Sequence, residues 1–94
     1  MKKVIAQLFI KAACIPQFIE QAQLLIQRSR SELGNLQYNL YQDILRGDEF
    51  VFIETYADTK ALDLHFSSDH LKYFIEKISG MQSKEMVVEI SDVL

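Results

Sequence analysis

The sequence predicts a small α+β domain in which helices cover one face of a four-stranded antiparallel sheet. The chain has 94 residues, the size of one domain, so we expect a single domain over residues 1–94. Four segments have the alternation or the β-branched and aromatic content of strands, and three have the three- and four-residue spacing of helices. Their order is β-α-β-β-α-α-β, which is the ferredoxin-like plan with a split second helix.

The first strand and the first helix follow each other closely. Lys3 to Lys11 carries apolar residues at both even- and odd-numbered positions, which face opposite sides of a strand. This pattern is typical of a strand that is covered on both sides. From Pro16 to about Glu32, apolar residues recur at helical spacing, and the proline suits the first turn of a helix because its missing N–H costs nothing there. Gly34 is expected to end this helix in the left-handed backbone conformation.

The next two strands are predicted to form an antiparallel hairpin. Residues 36–41 alternate apolar and polar side chains, which gives one clearly apolar face. Arg46–Asp48 predicts the turn. Phe50–Tyr56 has β-branched and aromatic residues on both faces and is the strongest strand of the chain.

The last third of the chain predicts two short helices and a final strand. Asp58 is a good N-cap for a helix that opens at Thr59, and Ser67–Asp69 indicates a break followed by a second cap. The helix after this break has one apolar face and is expected to end at Gly80. Glu85–Ile90 alternates in the manner of a strand and completes the sheet.

The apolar residues of both parities lead to a prediction about oligomeric state. Residues with apolar side chains make up 49% of the chain, which is a large share for so small an interior. If the helices lie on one side of the sheet, the other face is bare in a monomer. A second copy packed sheet against sheet around a two-fold axis would cover it, so we expect a homodimer.

Charge and hydropathy exclude several classes of protein. The net charge is −3 and no basic run occurs, so binding to nucleic acid is not expected. Apolar runs are far shorter than the roughly 20 residues that span a bilayer, so no membrane segment is expected. Gln7 and Lys11 interrupt the apolar stretch after the N-terminal lysines, which favours a first strand over a signal peptide. We therefore expect a cytoplasmic protein. The single cysteine, Cys14, excludes an internal disulfide.

Several short motifs occur in an order that resembles one family. Glu32-Leu33-Gly34-Asn35-Leu36-Gln37-Tyr38 resembles the pattern E-P-G-C-L-x-[YF], and Asp43, Phe50 and Glu54 fit its D…F…E positions. Tyr56-Ala57-Asp58 is similar to W-x-D, Ala61-Leu62 to A-L, and His65, His70 and Phe74 to H-x4-H-x3-F. Together these motifs resemble the antibiotic biosynthesis monooxygenase family, which includes small quinol monooxygenases, over nearly the whole chain.

The resemblance implies a dimeric α+β barrel with a pocket between the sheet and helices of each subunit. It implies cofactor-independent oxidation of a small quinol or polyketide-like compound by dioxygen. Other members are isomerases of small phosphorylated sugars or haem-degrading enzymes. The haem-degrading branch uses an Asn, a Trp and a His where this chain has Gln7, His65 and Ile75, so haem degradation and a bound cofactor are not expected. Tyr56 stands where the family usually has Trp.

His65, Glu54 and Tyr56 are the candidate catalytic residues. His65 follows Leu62 at helical spacing, so it can face inward and accept a proton, or it can be a structural histidine bonded to a backbone carbonyl. Glu54 lies in an apolar strand, where it can orient His65 or a substrate hydroxyl, or form an ion pair across the dimer. Tyr56 can hydrogen-bond a substrate oxygen or a developing oxyanion.

The candidate substrate-binding residues are polar groups and an aromatic wall. Each aromatic residue can equally be ordinary core. The set comprises Tyr38, Asn39, Phe9, Phe52, Phe66, His70 and Phe74. His70 can also be a surface or capping residue. No metal site is expected, because no third ligand is evident beside the two histidines and a helix break lies between them.

Three functions are consistent with the sequence. The first is a cofactor-independent monooxygenase of a small aromatic quinol, which predicts an aromatic pocket that opens near His65. The second is an isomerase of a small phosphorylated metabolite, which requires Arg or Lys near the pocket. The third is a non-catalytic, small-molecule-binding dimer, which predicts a pocket filled by side chains and a His65 that faces solvent.

Overall fold

The computed structural model describes residues 1–94 and contains the seven main elements in the predicted order. The strands are β1 (Lys2–Ile10), β2 (Asn35–Gln42), β3 (Glu49–Tyr56) and β4 (Gln82–Asp92). The helices are α1 (Ile15–Arg30), α2 (Thr59–Phe66) and α3 (Asp69–Ile78), and a short 3₁₀ turn at Ala12–Cys14 precedes α1. The α+β, ferredoxin-like fold class is therefore confirmed.

The sheet is antiparallel throughout, with strand order β2-β3-β1-β4. Strand β4 is longer than the predicted Glu85–Ile90, because it pairs with β1 from Ile10↔Gln82 to Lys2↔Asp92 across a register irregularity. Helix α1 ends two residues before the predicted Glu32, which leaves that residue in the connection to β2.

The helix starts have the predicted caps, and Gly34 has the predicted left-handed backbone, although α1 ends four residues before it and not at Gly34. The Asp58 carboxylate accepts the backbone N–H of Ala61, and the Ser68 hydroxyl accepts that of Leu71. Gly34 has φ 86°, and a Cβ at this position would stand 2.6 Å from the Ala61 Cβ. Only glycine therefore allows the connection after α1 to approach α2 this closely.

The helices lie on one face of the sheet and bury alternate residues of the two central strands. These are Val4, Ala6, Leu8 and Ile10 of β1 and Phe50, Phe52, Glu54 and Tyr56 of β3. The opposite face carries the intervening residues, and several of its apolar side chains remain accessible, including Ile5, Tyr41 and Val87. No helix has the length and apolar character needed to cross a membrane.

Candidate active site

A cavity of about 310 Å³ lies between the covered face of the sheet and helices α2 and α3. Its walls are mostly apolar, and three polar side chains, Tyr38, Glu54 and His65, converge on it. The aromatic part of the wall comes from Phe52, Phe66 and Phe74. The aliphatic and thioether part comes from Val4, Ala6, Leu25, Leu71, Ile75, Met86 and Val88. Such a cavity suits a small, flat and largely apolar molecule.

Glu54 projects from the centre of β3 into this apolar surrounding. Its neighbours across the sheet are Val4 on β1 and Tyr38 on β2, and only 4% of its surface is exposed. The hydroxyl of Tyr56, two residues along the same strand, donates a hydrogen bond of 2.7 Å to Glu54 Oε1. Burial raises the pKa of the Glu54 carboxyl to about 7, although the bond from Tyr56 works in the opposite direction. This carboxyl can therefore exchange a proton near neutral pH.

His65 is held on α2 with its two ring nitrogens in different surroundings. Its Nδ1 lies 2.8 and 3.0 Å from the two carboxylate oxygens of Glu32, which can only accept, so Nδ1 carries the proton. Its Nε2 lies 3.5 Å from the Tyr38 hydroxyl and 3.7 Å from Glu54 Oε1. Burial lowers the pKa of His65, and the hydrogen bond to Glu32 partly offsets this effect. The imidazole is thus neutral at pH 7, and its unprotonated Nε2 accepts a long hydrogen bond from the Tyr38 hydroxyl and can accept a proton.

Tyr38 supplies a hydroxyl that stays protonated. Burial, followed by the nearby Glu54 charge, raises the pKa of this phenol far above its usual value. Its ring packs against Phe52 and His65 at centroid distances of 5.5 and 5.3 Å, which fixes its position. Since the phenol cannot act as a base, its role in the site is to donate a hydrogen bond.

Glu32 and His70 complete the polar cluster behind His65. The Glu32 carboxylate bridges the two histidines, because its Oε2 lies 2.8 Å from His65 Nδ1 and 2.5 Å from His70 Nε2. Sequence reasoning did not assign a role to Glu32, although it is the first residue of the family-like motif. The one available signal is that a buried histidine needs a hydrogen-bond partner, but this requirement does not identify Glu32.

The cluster has the donor set of a transition-metal site, with two imidazoles and one carboxylate within 4.8 Å of one another. Ligand atoms that share an ion at bonds of about 2.1 Å stand roughly 3.0–3.4 Å apart. The separations of 2.5 and 2.8 Å are shorter and fit shared protons. The three residues form a hydrogen-bonded chain in this structure, and Glu32 is the third potential ligand that the sequence did not reveal beside the two histidines.

The sheet register separates the predicted site residues into two groups. Tyr38, Phe52, Glu54, His65, Phe66 and Phe74 line the cavity. Phe9 and Asn39, which were predicted to share this pocket, do not line it. Phe9 pairs with Glu49 and Lys84, and Asn39 pairs with Ile53, so both have the parity of the open face. Tyr56 lies behind Glu54, and His70 lies behind Glu32, so neither lines the cavity.

The site combines two groups that can exchange protons with one fixed hydrogen-bond donor. Near pH 7 the neutral His65 is a base, Glu54 is divided between acid and carboxylate, and the Tyr38 hydroxyl is a donor. The cavity opens to solvent past Phe66, Ile75 and Val88, while Glu54 and His65 at its inner end are almost fully buried, which strengthens electrostatic interactions there. The arrangement can remove a proton from a weakly acidic hydroxyl or C–H group and stabilise the resulting anion.

Comparison with known proteins places these features in one family. The family model described as antibiotic biosynthesis monooxygenase matches residues 1–77. The protein sll1783 of Synechocystis is 34% identical over 79% of this chain, and Bacillus subtilis YcnE, which carries a provisional monooxygenase name, is 36% identical over 65%. These matches cover 50% and 64% of the two relatives' own lengths.

Two further relatives bear on fold and function. A Yersinia enterocolitica isomerase of (4S)-4-hydroxy-5-phosphonooxypentane-2,3-dione is 26% identical over 88% of this chain and 86% of its own length. A crystal structure described as an antibiotic biosynthesis monooxygenase is 34% identical, covers 100% of this chain and 99% of its own, and has a TM-score of 0.94. With the family model matching most of its length, the chain belongs to the antibiotic biosynthesis monooxygenase family.

Proposed function

We propose that this protein is a cofactor-independent monooxygenase that oxidises a small aromatic quinol or a polyketide-like substrate with dioxygen. The observation that carries the proposal is the convergence of His65 Nε2, Glu54 and the Tyr38 hydroxyl on one aromatic cavity. The family description and the likeness to YcnE support a monooxygenase.

The proposed reaction begins with proton removal from a substrate hydroxyl. His65 Nε2 takes the proton, and the Glu32 carboxylate stabilises the imidazolium that forms. Tyr38 donates a hydrogen bond to the substrate oxygen as negative charge develops on it. An electron-rich aromatic anion then reduces dioxygen directly. Phe52 and Phe74 hold the ring in place within the cavity.

The atoms and electrons of this reaction balance without a further reductant. A quinol and one dioxygen give a hydroxyquinone and one water, so two electrons come from the C–H bond that becomes C–O and two from the quinol. The O–O bond breaks as the distal oxygen leaves with a proton. Glu54, whose carboxyl has a pKa of about 7, can supply this proton from its protonated form.

Oxygen consumption by metal-free protein with a panel of hydroquinones and anthrones tests the proposal. We expect uptake above that of heat-denatured protein, and a loss of about 10²–10⁴-fold in His65→Gln, because glutamine fills similar space but cannot take the proton. Asp63→Asn is the matched control, since Asp63 is an exposed carboxylate on the same helix. No uptake across the panel, or a fully active His65→Gln variant, contradicts the proposal.

Isomerisation of a small phosphorylated metabolite is the second candidate, favoured by the likeness to the Yersinia isomerase. A phosphate group needs cationic or backbone N–H partners. No Lys or Arg lines the cavity, and Arg28 lies at a separate groove between α1 and α3. The cavity therefore favours the monooxygenase. A shift in melting temperature with sugar phosphates, but not with quinols, would reverse this order.

The non-catalytic alternative is less well supported by the site. It predicts a pocket filled by Phe and Tyr side chains and a His65 that faces solvent. Instead a cavity remains, and His65 is 1% exposed with its Nε2 towards Tyr38 and Glu54. The position of a poised base in the wall of a cavity supports catalysis.

The proposal includes a homodimer built on the open face of the sheet. Apolar side chains of this face, such as Ile5 and Val87, are 38% and 49% exposed in the single chain. Val51 and Ile53 of the central strand β3 have the same parity and are only partly buried. A second sheet packed against this face would remove them from water and leave the cavity of each subunit on the far side of its own sheet.

A further inference from the structure

The mouth of the cavity is built from apolar side chains that solvent can reach. Phe66, Ile75 and Val88 line the cavity and are between 41% and 46% exposed. The three polar side chains of the lining are almost fully buried at its inner end. A substrate that presents its reactive hydroxyl to these polar groups therefore directs its other end toward the apolar mouth.

An apolar strip continues from the mouth along β4, which is an edge strand of the sheet. Val88 lies opposite Ala6 of β1, and Ile90 lies opposite Val4, so both have the parity of the helix-covered face. Val4 and Ala6 are buried, whereas Ile90 is 50% exposed. The helices thus cover the central strand at this level and leave the neighbouring part of β4 open.

The strip has a defined length, because it ends at a pair of charges. Lys2 Nζ lies 2.5 Å from a carboxylate oxygen of Asp92, which is the next residue of this parity after Ile90. Val88 and Ile90 are two residues apart on one strand, so their side chains stand about 7 Å apart. With C–C bonds of about 1.5 Å, a chain of about six carbons spans this distance.

We propose that the substrate carries an apolar chain, of the alkyl or isoprenoid class, which leaves the cavity past Phe66 and Val88 and lies along β4 as far as Ile90. The ring then occupies the cavity with its hydroxyl at His65. The assignment of the ring rests on the proposed function, whereas binding of the chain requires no reaction. Failure of one proposal is therefore distinguishable from failure of the other.

Continuity with the cavity favours a substrate chain over a second copy of the protein as the occupant of the strip. The proposed dimer uses the opposite face of the sheet, on which Ile5 and Val87 lie. A sheet packed there leaves Val88 and Ile90 accessible. A ligand in the cavity, by contrast, already contacts Val88, and any extension of it past the mouth meets Ile90 next.

Calorimetric titration with 4-alkylphenols tests the chain site without turnover, because these compounds have the hydroxyl and the chain but lack the second hydroxyl of a quinol. We expect the affinity to rise about twofold for each added methylene, half of the free energy of full burial, since the strip contacts the chain on one side only. The rise should stop once the chain reaches the charges at Asp92. An affinity that does not depend on chain length overturns the proposal.

Substitutions on the strip separate specific binding from general adhesion of apolar chains. Ile90→Ser should remove the gain from the outer methylenes and leave the affinity for the shortest phenol unchanged. Leu64→Ser is the matched control, because Leu64 is 51% exposed on α2 and does not line the cavity. An equal rise with chain length in wild type and Ile90→Ser contradicts the proposal.

Two further measurements keep the chain site falsifiable. With an active quinol, longer chains should lower KM by the same factor per methylene and leave kcat unchanged, because the chain lies away from the reacting atoms. A chain that changes kcat alone contradicts the proposed placement. Light scattering of Ile90→Ser should give the mass of the wild type. A lower mass would overturn the proposal, because the strip would then be a contact between copies of the chain.

Discussion

The two faces of the sheet differ in how far their apolar side chains are buried. The helix-covered face buries Phe50, Phe52 and Tyr56 almost completely and keeps one carboxylate, Glu54, among them. The open face carries Ile5 and Val87 of similar apolar character, yet leaves them accessible. Glu54, Tyr38 and Tyr56, whose pKa values are raised by burial, all lie on the covered face.

The covered face thus carries the acid–base groups, and the open face is the one available for contact with another chain. Burial between sheet and helices raises the cost of charge and so tunes the acid–base groups of the cavity. The open face offers accessible apolar surface, which suits contact with a second copy of the chain. Four changes, taken from the largest expected effect to the smallest, can break or sharpen this comparison.

Truncation on the covered face should have the largest effect on stability. Phe50 is 2% exposed and its ring lies 4.8 Å from that of Phe18. We expect Phe50→Ala to lower the free energy of unfolding by about 3–5 kcal/mol through lost burial and the cavity left behind. Tyr41→Ala on the open face should cost about 1 kcal/mol or less at protein concentrations where the chain is monomeric, since its side chain is 52% exposed in the single chain. Urea unfolding of both variants measures the two losses in the free energy of unfolding. Equal losses would contradict the predicted difference between the two faces.

Neutralising Glu54 should stabilise the protein in a pH-dependent manner. Its pKa is raised from 4.5 to about 7, so the stability that its protonated form contributes is complete below pH 4.5 and is lost as pH rises through about 7. Glu54→Gln keeps an acceptor for Tyr56 and avoids the buried charge. We expect a gain of up to about 3 kcal/mol at pH 8 and almost none at pH 4.

Thermal unfolding across this pH range checks the sign. The lowered pKa of His65 acts in the opposite direction, because stability is lost as pH falls below its ordinary value of 6.5. Wild type and Glu54→Gln should therefore share the same loss on the acid side. A variant less stable than wild type at pH 8 contradicts the prediction.

The fold could be read from the sequence to a greater depth than the site. Helical spacing and strand alternation predicted the order of the elements, and Asp58 and Gly34 predicted local geometry that the structure has. These signals depend on neighbours along the chain. The face on which Phe9 and Asn39 lie depends on which side of the sheet the helices pack, which alternation alone does not determine.

The hydrogen bond between Glu32 and His65 could not be predicted from local sequence patterns either. The two residues are 33 positions apart and meet because Gly34 lets the connection after α1 approach α2. No local pattern predicts a contact of this kind. The full length of β4 could not be predicted for the same reason, since its extra residues pair with β1, which is far away in the sequence.

A charge on the open face tests its proposed role in association. Ile53 lies opposite Ile5 and Asn39, at the middle of this face. We expect Ile53→Lys to weaken the dimer at least about tenfold, equivalent to roughly 1.4 kcal/mol, because two lysines would meet near the two-fold axis. Light scattering after gel filtration measures the mass over a range of concentrations. A wild type that is monomeric at micromolar concentration overturns the homodimer, and a fully dimeric Ile53→Lys places its interface elsewhere.

The smallest change removes one hydroxyl behind the cavity. Tyr56 donates its hydrogen bond to Glu54 Oε1 and so holds the carboxyl pKa below the value that burial alone would set. In Tyr56→Phe the pKa of Glu54 should rise by about one unit, because the ionised form loses its donor. With an active substrate, the limb of the pH–rate profile that belongs to Glu54 should move upward in pH by the same amount, while Tyr41→Phe on the open face leaves it in place. A limb that stays fixed in Tyr56→Phe would show that Glu54 does not limit the reaction, and would leave His65 as the group that sets its pH dependence.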